Sequence, residues 1–275
     1  MKNLSIYVLL LLGPCFLCAC SSDDDSNDFN SLDGQSLSNP GVYGSDHKRL
    51  TSWAGVEFFY YDNGGIDSIA TPKSMMDERM KFSPDQKKRW VYDKTHSWKD
   101  YTSELSFNKQ GYITEIKSVA KEYDADQNIG GQLYQYDGNG HLTNIGYKSN
   151  DGNYHGNMTI VWENDTIVKI SSDENDGNEK KITGYTFEYE GGVNRNEYLQ
   201  YDGALLDTWH NRDLQALFIL GYFGKGPKYL PTKYVKWSSG KKASEAKLTY
   251  KFNNDGTIYE GYGEYPNQRC YYYYK

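Results

Sequence analysis

The segment YQYDGNGHLTNI, Tyr134 to Ile145, constrains this chain more than any other. Two tyrosines flank one intervening position, an aspartate and a Gly/Asn turn follow, and Leu142 and Ile145 lie beyond the turn. Successive side chains of a strand point to opposite faces. Glycine and asparagine supply the positive φ that tight hairpins need, so the segment predicts a β-hairpin. The same layout recurs in LSFNKQGYITEI (Leu105 to Ile116) and YKFNNDGTIYEG (Tyr250 to Gly261). Shorter forms are FYYDNGGIDSI (Phe59 to Ile69) and IVWENDTIVKI (Ile160 to Ile170), with FEYEGGV (Phe187 to Val193) a truncated copy and LQYDG (Leu199 to Gly203) a partial one.

The turn anchors Asn108, Asp137, Glu163 and Glu190 lie 29, 26 and 27 residues apart. A fixed period in the range of about 20–50 residues marks a repeat architecture, and here each unit holds two strands and a return loop. The wider gaps, Asp62 to Asn108 and Glu190 to Asn253, leave room for extra hairpins or insertions. One insertion reads as a short helix near 213–221: Asp213 as N-cap, an apolar run from Leu214 to Leu220, and Gly221 as the stop. Because the run is apolar nearly all round, it is expected to be buried as a plug against the sheet. The fold class is therefore all-β, an antiparallel up-and-down meander of hairpin repeats, curled or closed into a barrel-like sheet, with this one helical insertion.

Strict alternation in YITEIKSVAKEY puts Tyr112, Thr114, Ile116, Ser118 and Ala120 on one face and Glu115, Lys117 and Lys121 on the other. A charged face is incompatible with lipid, so the expected sheet surrounds a core and faces water. The mean hydropathy of −0.82 agrees. The closing CYYYYK reads as a final strand, with Cys270 a buried strand residue.

The amino terminus carries an address. Lys2 precedes an apolar run from Leu4, which ends at Leu17-Cys18-Ala19-Cys20. The run falls short of the roughly 20 residues of a spanning helix and has the length of a secretory signal core. Ser21-Ser22-Asp23-Asp24-Asp25 and the Ser/Asp/Asn-rich residues to about 45 bury too little apolar area to fold. The expected organisation is a signal peptide at 1–19, a flexible acidic tether at 20–45 and one hairpin-repeat domain at 46–275.

Four resemblances follow from these residues. Leu17-Cys18-Ala19-Cys20 resembles the lipobox of bacterial lipoproteins, which implies that Cys20 is the lipidated first residue of the mature chain. The acidic stretch after it resembles the export signal of lipoproteins displayed on the outer surface of some Gram-negative bacteria. The Y-x-Y-D-x-x-G-x-L-x-x-I hairpins resemble YD/RHS-type repeats. With the lipobox, the tether and the late ILGYFGKGPKYLP insertion, the whole is similar to a family of bacterial lipoproteins of unknown function described as having a porin-like fold. Asn108, Asn253, Glu163 and Glu190 depart from the Asp of the repeat. The resemblance implies an outer-membrane, lipid-anchored protein, facing outside or, as the second placement, the periplasm, and it implies no activity.

Composition narrows the function. The net charge is −7, and −8 once Lys2 leaves with the signal. That disfavours nucleic acid and electrostatic attraction to anionic lipid, so acyl chains alone are the expected membrane link. Of four cysteines only Cys270 remains unmodified after processing, which leaves no internal disulfide. SDDDSND lacks the central Gly and late Glu of a calcium loop. His47, His96, His141, His155 and His210 show no metalloprotease spacing. No cofactor, metal or catalytic set is expected. Trp162 shares the core slot of Tyr136 and Phe107, whereas Trp98 in THSWKDY and Trp209 in DTWHNRD lie among polar residues and are the candidate sugar-stacking platforms. Asp67-Ser68-Ile69 and Asp165-Thr166-Ile167 resemble a short bacterial O-glycosylation sequon and receive no role here. The reading is a non-enzymatic binding or structural module with a glycan or another surface protein as partner. The alternative is an extracellular polysaccharide hydrolase, which needs two carboxylates about 5–9.5 Å apart across a cleft.

Overall fold

The structure, a computed structural model, describes residues 41–43, 48–71, 78–93, 101–119, 131–148, 155–175, 180–193, 212–263 and 268–275. The strands in chain order are β1 (Val42–Tyr43), β2 (Lys48–Trp53), β3 (Val56–Tyr60), β4 (Ile66–Ala70), β5 (Glu78–Phe82), β6 (Lys88–Asp93), β7 (Tyr101–Phe107), β8 (Ile113–Val119) and β9 (Gly131–Tyr136). They continue with β10 (Leu142–Lys148), β11 (His155–Glu163), β12 (Thr166–Asn175), β13 (Lys180–Val193), β14 (Tyr229–Ser238), β15 (Lys241–Phe252), β16 (Ile258–Gly263) and β17 (Gln268–Tyr274). One helix, α1 (Arg212–Ile219), stands between β13 and β14. Each strand from β2 to β17 pairs antiparallel with its successor, and β17 returns to β2 through Tyr272↔Trp53 and Tyr274↔Leu50. The meander is thus a closed barrel. Reciprocal main-chain bonds between Arg49 and Lys275, 3.0 and 2.8 Å, extend the closing seam to the last residue.

The hairpin turns follow from the repeat chemistry. At 137–141, the Gly140 N–H donates to the Asp137 carbonyl (3.1 Å), the Asp137 N–H donates to the His141 carbonyl (3.0 Å), and Gly140 has φ 86°. This is a type I turn closed by a bulge whose last residue must adopt positive φ. The Asp137 carboxylate accepts the N–H groups of Asn139 and His141, and Asn108 does the same for Gln110 and Tyr112. Asn at 108 therefore keeps the acceptor that the turn uses. FEYEGGV is not a hairpin: β13 runs through Glu190 to Val193 without reversing. Asp213 lies inside the first turn of α1, which starts one residue earlier at Arg212, rather than at its N-cap.

A second bulge explains the L-x-x-I spacing and corrects the face assignment. Phe107 pairs with Ile113 and Leu105 with Ile116, with a register shift between them. Ile113 and Ile116 are both in the core, 0% and 2% exposed. One extra residue in a strand reverses the alternation beyond it, so the strict alternation expected from Tyr112 through Lys121 does not hold, and Ile113 shares the core face with Ile116. The same shift accompanies Leu142/Ile145 and recurs between Val161 and Trp162.

The tyrosines serve as rungs between strands. Buried Oη groups donate to main-chain carbonyls on the preceding strand: Tyr60 to Leu50 (2.5 Å), Tyr136 to Ile113 (2.6 Å), Tyr189 to Ile167 (2.6 Å), Tyr250 to Pro231 (3.0 Å) and Tyr274 to Ile258 (2.9 Å). Trp162 substitutes its Nε1–H, donating to Leu142 at 2.8 Å. Phe82 has no hydroxyl, and Gln86 Nε2 takes the Ile66 carbonyl instead (2.9 Å). Burial pushes the Tyr136 hydroxyl well above its usual range, so it stays a neutral donor. Tyr136→Phe leaves a carbonyl without its donor and should cost about 1–3 kcal/mol, read as a fall in the urea midpoint with m unchanged.

Outside, the wall is charged: Glu57, Arg79, Lys81, Lys88, Glu104, Lys117, Lys169, Glu188, Glu245 and Lys247 are exposed. A lipid-facing wall would lose about 2–4 kcal/mol for a basic residue at mid-membrane, so this barrel stands in water. Inside, it is packed. Leu217, Tyr222 and Phe223, 0–1% exposed, fill one end against Tyr134, Ile113, Leu142 and Ile167.

Candidate functional site

The chemistry-bearing residues among those described gather where the insertion enters the barrel. After α1 the chain turns at Gly221 and runs as a strap across three hairpin turns. The Tyr222 carbonyl accepts the Ile113 N–H (2.9 Å), Lys225 N–H donates to the Gly140 carbonyl (3.0 Å), and Lys228 N–H donates to the Asp165 carbonyl (2.7 Å). The Tyr222 hydroxyl donates to Gln86 Oε1 (2.8 Å), and Gly41 N–H donates to the Leu220 carbonyl (3.2 Å). Burial holds the Tyr222 hydroxyl far above its ordinary value, so it too remains a donor.

His141 lies beneath this strap, 4% exposed. Its Nδ1 is 3.0 Å from Asp137 Oδ2, its Nε2 is 3.6 Å from Asp165 Oδ1, and its ring stacks on Trp162 at 4.2 Å. The histidine is thus buried and hydrogen-bonded, and it ties two turns that hold the strap. Burial opposes the Asp137 charge, but the His141 and Asn139 N–H groups and the His141 ring outweigh it and keep that carboxyl below its usual value. The neighbouring Thr166 hydroxyl donates to the Asn164 carbonyl (3.4 Å), so among the described residues it is turned to the main chain rather than to the His141 ring.

The turn carboxylates of Asp85 and Asp255 are occupied in the same way. Asp255, with its side chain 2% exposed, accepts the Thr257 hydroxyl (2.6 Å) and N–H (3.0 Å) and pairs with Lys48 (3.2 Å). The Thr257 hydroxyl, the Thr257 N–H and Lys48 outweigh burial and hold Asp255 below the usual carboxylate range. Its folded value is depressed, so the stability it contributes is present above the unfolded value of about 3.9 and is lost as pH falls through the lower folded value. Asp255→Asn should therefore shrink the loss of stability between about pH 4 and 2, measured by urea unfolding at stepped pH.

Among the described residues no group of three His, Cys, Asp or Glu is placed to hold a metal. Cys20, Trp98 and Trp209 lie outside the described residues, as do His47, His96 and His210. Cys270, in β17, pairs through its main chain with Gly261 of β16. Ser68 and Thr166 of the two sequon-like triplets are 7% and 8% exposed. Residues that sequence reasoning missed are Gln86 and His141, which look like ordinary turn residues, and Trp237, an outward tryptophan in YVKWSSG.

No protein-family model and no curated protein sequence matches the chain. Its fold is similar to two crystal structures. One is a porin-like protein from Bacteroides uniformis, with TM-score 0.58 and 16% identity over 87% of this chain and 100% of that one. The other is a porin-like protein from Bacteroides vulgatus, with TM-score 0.52 and 12% identity over 82% of this chain and 98% of that one. The class so defined is a porin-like, antiparallel β-barrel; at these identities the likeness speaks for the fold alone.

Proposed function

We propose that this chain is an outer-membrane lipoprotein, held by acyl chains on Cys20 and facing the cell exterior, whose barrel is a non-enzymatic binding or structural module. The observation that supports this reading is the combination of a charged outer wall with one end of the interior filled by the chain's own Leu217–Phe223 segment. Such a barrel neither meets lipid with its wall nor leaves that end open for conduction. Acyl chains then supply the membrane link, with two or more needed for stable anchoring. The described carboxylates near the strap lock turns rather than face each other across a cleft, which disfavours the polysaccharide hydrolase. A glycan or a surface protein is the partner, with Trp98 and Trp209, each set among polar residues in the sequence, as the candidate sugar-stacking aromatics.

Feeding cells an alkyne analogue of palmitate tests the anchor. The chain should take up label, and Cys20→Ala should abolish it; persistent label in Cys20→Ala contradicts the assignment. Protease treatment of whole cells should degrade the protein if it faces outside, and protection places it on the periplasmic leaflet.

A further inference from the structure

We propose that the outer face of β9–β14 is a binding platform for an uncharged polysaccharide chain, centred on Trp237. The inference rests on the binding-module reading and gives it a location. Six outward residues form one continuous cross-strand row. Gln135 pairs with Asn144, Asn144 with Thr159, Thr159 with Ser171, Ser171 with Gly184, and Gly184 with Trp237. Five inter-strand steps make the row about 24 Å long. It contains amide and hydroxyl groups and an indole, and no charge. Its neighbours are charged: Glu115 and Asp173 mark the row on one side, Lys169 and Glu245 the row on the other, and Lys242, paired with Trp237 on β15 and held by Glu245 at 2.8 Å, closes the end beyond the indole.

The indole is set for stacking. Trp237 is 37% exposed, and its Nε1–H donates to Thr186 Oγ1 at 3.1 Å, two residues along β13 from the directly paired Gly184. The ring therefore leans across β13, where Gly184 carries no side chain to cover it. Fixing the indole in advance lowers the ordering cost of binding. Aromatic faces take the apolar C–H surface of a sugar, while Asn144, Thr159, Ser171 and Gln135 offer both donors and acceptors to hydroxyl groups. Leaving a charge unpaired beneath a neutral ligand is costly, and the row has none. The cation nearest the indole, Lys242, is already taken by Glu245, and the six residues of the row offer none to the carboxylates of an acidic polymer.

Affinity electrophoresis of the full chain in detergent tests this, with gels containing dextran, mannan or xyloglucan as neutral probes and alginate as the anionic one. At least one neutral gel should retard the protein and alginate should not. Trp237→Ala and Thr159→Lys should each weaken retardation about tenfold or more, and Trp237→Phe should retain part of it. Thr159 is exposed, so its substitution leaves folding intact and guards against a merely structural effect at Trp237. Retardation that survives Trp237→Ala and Thr159→Lys but is lost in Trp98→Ala or Trp209→Ala overturns this platform while upholding the binding module. Retardation by alginate equal to that by the neutral probes overturns the neutral ligand. Absence of retardation in every neutral gel also overturns the inference; cross-linking of protein partners on intact cells then decides the module reading separately.

Discussion

Gly224→Ala should lower stability by about 3–5 kcal/mol, the sum of a strained backbone and a steric clash. Gly224 has φ 95°, and a Cβ there would lie 2.5 Å from the Gly140 carbonyl oxygen and 3.0 Å from the Tyr136 ring. The carbonyl is main chain and cannot swing aside, because the same oxygen accepts the Lys225 N–H. Relief requires the strap to lift from the turn at 137–141, which unseats His141 and the ties to Asp165. For a barrel of this size the expected fall in melting temperature is about 10 °C. A scanning-calorimetry difference within about 2 °C would show that the strap is loosely held.

Phe223→Ala should cost a similar amount, about 3–5 kcal/mol. Phe223 is 1% exposed and lies 4.5 Å from the Tyr134 ring and 4.2 Å from Phe218. Its removal leaves a void at the centre of the filled end, where the wall is braced by main-chain bonds and cannot collapse inward. The two substitutions act on adjacent residues of one strap, so their effects in the double variant should fall short of additivity. Fully additive losses would indicate that glycine and phenylalanine support separate parts of the barrel.

The antiparallel meander was legible because its hairpins repeat, and the helix near 213–221 because an apolar run is bounded by polar residues and Gly221. Closure was left open in the sequence, since pairing between β17 and β2 joins residues more than two hundred positions apart. The bulge that buries Ile113 and Ile116 together was present as the L-x-x-I spacing, but period-two reading hides it. The role of the tyrosines was half visible. Their apolar bodies suited strands, while the acceptors of their hydroxyls are carbonyls on neighbouring strands that no local pattern names. His141 was visible only as a turn residue without metal-binding spacing; the stack on Trp162 and the reach to Asp165 join two turns that meet only in the fold. Trp237 was passed over because the uncharged row around it is made by register across six strands.

In the arrangement proposed for this chain, the barrel stands in water and lipid alone attaches it to the membrane. Replacing residues 1–20 with an ordinary cleavable secretion signal keeps the whole barrel and removes the lipidated cysteine. Fractionation of such cells should place a folded, β-rich protein in the soluble periplasmic fraction without detergent. Recovery only from carbonate-washed membranes would mean that the wall itself spans the bilayer and would contradict the account.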